Sequence, residues 1–189
     1  MITALKGLYS GVFGGIERLT DGWFMGLFAR LAFSSALMMF FLNSAATKVG
    51  SGFPANLIPT VNAYAQMLPP VAEQYGYNAD KIPFFPYALI VYGGTYAEFI
   101  LPVLILVGLF ARAASAAMIG FIAVMTYVDI NFHSADAKTI GVLFDRVQDS
   151  VISDQRLLWC IPLIYLILKG PGILSLDAIF GNFFKEEEI

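Results

Sequence analysis

Apolar positions in this chain come in long blocks, separated by polar stretches rich in proline, glycine and asparagine. Four blocks, at about residues 23–46, 84–109, 113–132 and 151–169, approach the ~20 residues that a helix needs to cross about 30 Å of hydrocarbon. The first opens at Trp23, an aromatic residue suited to a membrane edge. It contains Arg30 and is stopped after Lys48 by Gly50, Gly52 and Pro54. The second contains Glu98, and Pro102 inside it predicts a kink. The third follows a tight Phe110-Ala111-Arg112 connection; Ala113, Ala117 and Phe121 share one stripe and Ala116 and Gly120 another, predicting close helix approach through small residues. The fourth, Leu157 to Leu168, is too short to span unless its helix begins near Val151, with Arg156 snorkelling toward the interface.

The flanking segments read as surface elements. Leu5, Leu8, Val12, Ile16 and Leu19 recur at helical spacing within residues 1–20, which predicts an amphipathic helix lying in the interface. Lys169-Gly170-Pro171-Gly172 ends the fourth span, and Ser175 is placed to cap a last helix carrying Leu176, Ile179, Phe180, Phe183 and Phe184. The prolines of segment 48–83 exclude one long helix there. A structured loop is expected, with Leu57, Val61, Tyr64 and Leu68 on one short amphipathic helix. The predicted fold is all-α: one membrane domain over residues 1–189, a four-helix bundle with N- and C-terminal interfacial amphipathic helices. Both termini lie on one side, and loops 48–83 and 133–155 on the other. Basic residues do not orient it, since Lys6, Arg18, Arg112, Lys169 and Lys185 on the terminal side balance Lys48, Lys81, Lys138, Arg146 and Arg156 on the loop side.

Composition agrees with a lipid environment: 58% of the 189 residues are hydrophobic and 13% charged, and mean hydropathy is +0.73. Lipids are therefore the first expected partner. The net charge of −3 and the absence of a basic run exclude a nucleic-acid surface. Cys160 is the only cysteine, so an intrachain disulfide and a multi-cysteine metal site are excluded. No Ser/His/Asp grouping supports nucleophilic catalysis, and Gly14-Gly15 and Gly93-Gly94 lack the following lysine of a phosphate loop. The glycine-interrupted N-terminal stretch is not expected to act as a signal peptide, leaving insertion to the first span. Glu186-Glu187-Glu188 reads as a solvated tail.

Three ionisable residues fall inside the spans, Arg30, Glu98 and Asp129, each costing about 3 kcal/mol or more if it faced lipid at the bilayer centre. Counted from the terminal side at ~1.5 Å per residue, Arg30 lies about 11 Å deep and Glu98 about 15 Å deep, so the two are expected to pair. Asp129 lies near the loop side, level with Lys48 and Asn131, and Lys48 is its expected partner. These four residues, Arg30, Glu98, Lys48 and Asp129, form the candidate buried polar site. They serve either as pairs that orient the helices or as a ligand site. His133, the only histidine, stands near Asp129, Asp136 and Asp145, but it reads as a solvated loop residue and no metal site is expected. The tyrosines around the first loop, among them Tyr64, Tyr75, Tyr77, Tyr87, Tyr92 and Tyr96, read as interfacial anchors.

Several fragments in order resemble the DoxX family of small membrane proteins: Leu27-Phe28-Ala29-Arg30-Leu31, Lys48 with Gly50, Glu98, Val107-Gly108-Leu109-Phe110-Ala111-Arg112-Ala113-Ala114, and Gly170-Pro171-Gly172-Ile173-Leu174-Ser175-Leu176-Asp177. Together they cover about residues 25–180. The resemblance implies a four-helix bundle in a prokaryotic cytoplasmic membrane with both termini inside. It also implies an association with redox chemistry, since one related protein is a subunit of thiosulfate:quinone oxidoreductase and others are linked to oxidative or metal stress. The chain departs from those relatives in its long polar 133–155 segment and in lacking a histidine near Asp154-Gln155. Two functions follow as expectations. One is a quinone-associated, redox-linked subunit of a membrane oxidoreductase system, with quinone against Arg30 and Glu98 and Lys48 at the mouth. The other is a non-catalytic scaffold or accessory subunit bound to other membrane protein subunits. A transporter needs a longer polar path than three intramembrane charges supply.

Overall fold

The computed structural model describes the backbone of residues 2–186 and the side chains of residues 5–181. Glu187 and Glu188 of the expected acidic tail, and the side chains of Phe183, Phe184, Lys185 and Glu186, lie outside the described residues.

The fold is an all-α membrane bundle. Its first helix, α1 (Ile2–Thr20), is followed by four helical segments that are long and apolar enough to cross a membrane: Phe24–Ala46, Phe84–Val107, Ala111–Phe132 and Val151–Lys169. The first of these is α2 (Phe24–Ala46). Two short helices, α3 (Val61–Met67) and α4 (Pro69–Gln74), fold the following connection. A π-helical turn at Phe84–Ala88 then leads into α5 (Leu89–Val107). A tight turn joins α5 to α6 (Ala111–Phe132), and the four-residue α7 (Ala137–Ile140) follows. A second π-helical turn, Val151–Gln155, opens α8 (Arg156–Lys169), and α9 (Leu176–Glu186) ends the described chain. Each of the four long helices packs on two neighbours in the order α2, α5, α6, α8 and back to α2, all antiparallel. This is the up-down-up-down arrangement of a four-helix bundle.

The buried face of α2 shows how the pattern makes the fold. Gly26, Ala29, Arg30, Phe33, Leu37, Phe41 and Ala45 recur every three or four residues and are buried, while Phe28, Leu31, Met39 and Phe40 on the other faces are exposed to the surroundings. Phe33 and Phe41 meet Ile105 of α5, Met118 of α6 and Leu163 and Leu166 of α8 in the bundle core. On α6 the buried face is Ala114, Ser115, Met118 and Ile122. Ala113, Ala116, Ala117 and Gly120 are instead exposed, so the small-residue stripes do not bring α6 against its bundle neighbours.

The 48–83 connection is folded as expected but differently built. Ala63, Tyr64, Ala72, Ile82, Ala88 and Val91 form a second apolar cluster, joined by Tyr75, Tyr87 and Tyr92. Those three tyrosines are partly buried and pack on this cluster, whereas Tyr77 is exposed. Leu57 sits in a separate 3-10 turn, because Pro59 interrupts any helix between it and Val61. At the other long connection, Ser150 starts the fourth span at Val151: its hydroxyl accepts from the Asp154 N–H (3.2 Å), and the Asp154 carboxylate accepts from the Ser150 N–H (3.0 Å) and hydroxyl (2.7 Å). This reciprocal cap fixes the start of the helix.

Candidate functional site

Lys48 follows directly on the end of α2, and its side chain turns back into the bundle. Its ammonium donates to both Glu98 oxygens, at 2.8 and 3.1 Å, and to the Ser44 hydroxyl at 2.7 Å. Lys48 and Glu98 are 3% and 4% exposed. Each charge is thus compensated by a partner in a largely shielded position, as a buried ion requires. The pairing of Glu98 with Arg30 predicted from the sequence is not made. Ser44 faces Glu98, and Arg30 lies fourteen residues before Ser44 on the same helix, about 21 Å away along the axis. The depth estimate failed because it placed the ends of α2 and α5 flush. In fact α2 overhangs α5 on the terminal side and ends opposite the middle of α5.

Arg30 has a different task. Its guanidinium donates to the carbonyl of Leu106 (2.9 Å) in the last turn of α5 and to that of Leu174. Around it, the start of α2, the α5–α6 turn and the chain after α8 form a clamp at the terminal end of the bundle. Gly26 packs against the Pro171 backbone so closely that a Cβ there would lie 2.5 Å from it. The Asp177 carboxylate accepts from the N–H groups of Phe110 (2.6 Å) and Ala111 (2.9 Å), capping α6 where the helix dipole favours an anion. The Asp177 N–H in turn donates to the Gly108 carbonyl at 2.9 Å. Gly108 takes φ +70°, and a side chain there would strike Ser175. These residues hold the α5–α6 turn to the chain after α8 and stand apart from the Glu98 site.

Asp129 pairs with Arg156 of α8 rather than with Lys48. Lys48 is consumed at Glu98 depth, and α8 brings Arg156 up beside α6. Arg156 also donates to the Thr126 hydroxyl at 2.7 Å, and His133 Nδ1 lies 2.9 Å from the other Asp129 oxygen. Exposure rises outward along this group, from 9% at Arg156 through 27% at Asp129 to 37% at His133. The two other acids near His133 in sequence are engaged locally: Asp136 accepts from the Thr139 N–H (2.7 Å) and Asp145 from that of Val147 (2.8 Å). Hydrogen bonding from Thr139, through its side chain first and its N–H second, holds the Asp136 carboxyl below its ordinary pKa. Among the described residues no group of three or more His, Cys, Asp or Glu side chains is placed to hold a metal ion.

Both ion-paired groups line one cavity of about 720 Å³. Its floor and walls come from α2 (Phe40, Ser44), α5 (Ile90, Gly94, Glu98) and α6 from Gly120 to His133, and its roof from the α3–α4 junction, Gln66 to Val71. The volume is that of a small-molecule site, and the surfaces are those such a site needs: mostly apolar and aromatic, with a few charged groups converging. Sequence reasoning named Lys48, Glu98 and Asp129 of this lining and missed Ser44 and Arg156, together with Thr126, which accepts from Arg156. Two spacings signal them: Ser44 precedes Lys48 by one helical turn, and Thr126, Asp129 and His133 fall on one face of α6. In comparisons with known proteins, no family model, no curated protein and no solved structure matches this chain.

Proposed function

We propose that this chain is a DoxX-like integral membrane protein that binds a quinone in the cavity beside Glu98, as a quinone-associated subunit of a membrane oxidoreductase system. On this reading it resides in a prokaryotic cytoplasmic membrane with both termini on the cytoplasmic side. The observation that carries the reading is the space itself: a helix-orienting ion pair alone would be packed around, whereas Lys48 and Glu98 border a cavity of about 720 Å³.

The chemistry of the lining suits a quinone ring. Arg156 keeps guanidinium N–H groups beyond those given to Thr126 and Asp129 as donors for a ring carbonyl, Lys48 adds a second positive charge on the wall, and two carboxylates, Glu98 and Asp129, accept from the hydroxyls of the reduced ring. Their charges cancel when all four are ionised, which favours a neutral ligand. Phe40, Phe121, Tyr127 and Phe132 supply aromatic walls. A bound quinone would supply the two-electron chemistry, and the chain's own groups would hold and orient the ring.

The experiment is purification of wild type and Glu98→Gln in nanodiscs, with extracted small molecules identified by mass spectrometry. Quinone retained by the wild type and lost from a folded Glu98→Gln protein is the expected result. Wild type that carries only partner polypeptides would overturn it in favour of an accessory subunit. That second reading has its own observation: Val142, Leu143 and Phe144 of the 133–155 segment are exposed outside the spans, as a surface that meets another protein would be.

A further inference from the structure

We infer that the ligand of this cavity carries a long apolar tail and enters sideways from the bilayer between α5 and α6, its polar head lodging beside Gly120 against the Lys48–Glu98 pair. The inference rests on the ligand-site reading above and adds to it the class of ligand and the route.

The α5–α6 turn provides a common origin for depth. Glu98 lies nine residues before the end of α5 at Val107, and Gly120 nine residues after the start of α6 at Ala111. Because the helices are antiparallel neighbours joined by that turn, the two residues stand at one level, about 14 Å from it. Gly120 lines the cavity, and a Cβ built on it meets nothing within 4 Å. The missing side chain therefore leaves open space at the level of the buried carboxylate.

From that level the cavity runs along α6 to His133, thirteen residues or about 20 Å. Its outer wall is not closed. Ile90 on α5 and Val124 and Tyr127 on α6 line the cavity, yet each is more than half exposed, more than the wall of a closed cavity would be, and they lie within helices long and apolar enough to cross a membrane. The same side chains thus face the ligand space and the lipid, so the space continues into the bilayer at this seam. Over it, Met67 to Val71 of the α3–α4 junction form a roof. Met67 is seated by Gly94, whose Cβ would lie 2.8 Å from the methionine sulfur. A head group that seeks Lys48 and Glu98 passes through an apolar seam, and whatever is attached to it remains there. An isoprenoid or acyl tail fits that seam; a compact water-soluble ligand gains nothing from it.

The test is photolabelling in nanodiscs with two probes, a benzoquinone with a diazirine midway along an isoprenoid-length tail and the same ring with an azide and no tail. Adducts are mapped by peptide mass spectrometry with and without excess unlabelled long-tailed quinone. The expected result is protectable tail adducts in the peptides holding Ile90 and Val124, and ring adducts around Glu98 and Gly120. Gly120→Leu, which grows into empty space, should keep its thermal stability and lose both sets. Protectable ring adducts with tail adducts on residues 61–74 or 133–155 would overturn the lateral route while leaving the ligand site standing. Adducts that unlabelled quinone never reduces would overturn the site itself, and the inference with it.

Discussion

The Lys48 ammonium lies 2.8 Å from the Glu98 carboxylate, although Lys48 stands beyond the end of one span and Glu98 near the middle of another. The pair exists because α2 stops opposite the middle of α5. With both side chains buried, removing one partner should cost far more than the pair contributes. Lys48→Met leaves the carboxylate with the Ser44 hydroxyl alone and should destabilise the fold by about 3–5 kcal/mol. Lys48→Met/Glu98→Leu should recover most of that loss. Unfolding in detergent measures both, and a double variant as unstable as the sum of its parts would show that the two groups do not depend on each other.

The clamp at the terminal end makes a steric prediction and a capping prediction that differ in size. Gly26→Ala puts a Cβ 2.5 Å from the Pro171 carbonyl group, and backbone must move to admit it, at about 3 kcal/mol or more. Asp177→Ala removes an anionic cap from the first turn of α6 and should cost about 1–2 kcal/mol. Melting temperatures of the two variants should fall in that order. The reverse order would mean that the chain after α8 is not seated against α2.

The outer cluster should show a gradient that follows burial. Arg156→Leu leaves Asp129 without its cation in a site that is largely shielded, and should destabilise by about 2 kcal/mol or more. His133→Gln acts where more than a third of the ring is exposed, and the change should stay within about 1 kcal/mol. Equal effects in a stability assay would mean that the cluster is uniformly wet.

Much of this was legible in the sequence. The four spans were placed to within about two residues because block length and the stops at Lys48, Gly108 and Gly170 are one-dimensional signals. The fourth start needed Ser150, whose reciprocal cap with Asp154 explains why an apolar run of a dozen residues becomes a spanning helix. The ion pairs were misassigned because depth was counted along each helix separately. Pairing depends on how far one helix slides along another, and that offset is set by contacts such as Gly26 on Pro171, which no spacing within one segment encodes. Arg30 shows the consequence: an intramembrane charge looked like part of a site, yet it satisfies backbone carbonyls where α5 ends. The cavity was unreadable for a related reason, since Gly120 looked like a packing residue until the partner helix proved to be absent from its face.

Tyr64 supplies the last prediction, one of pH. It lies in α3, in the apolar cluster over the start of α5, and is 3% exposed. Burial, and then the neighbouring Tyr92, push its phenol above the ordinary tyrosine pKa. In the unfolded chain the same group titrates near 10. The folded protein therefore keeps a proton that the unfolded chain loses, and by linkage the stability tied to this proton is fully present below about pH 10. It falls away as the pH rises from there through the folded value. Tyr64→Phe removes the titration and retains the ring that packs against Ala72 and Val91. The variant should therefore lose less stability than the wild type above pH 10, by an amount that grows with pH. Melting curves in detergent from pH 8 to 11 test this, and parallel declines for the two proteins would mean that Tyr64 meets water in the folded state.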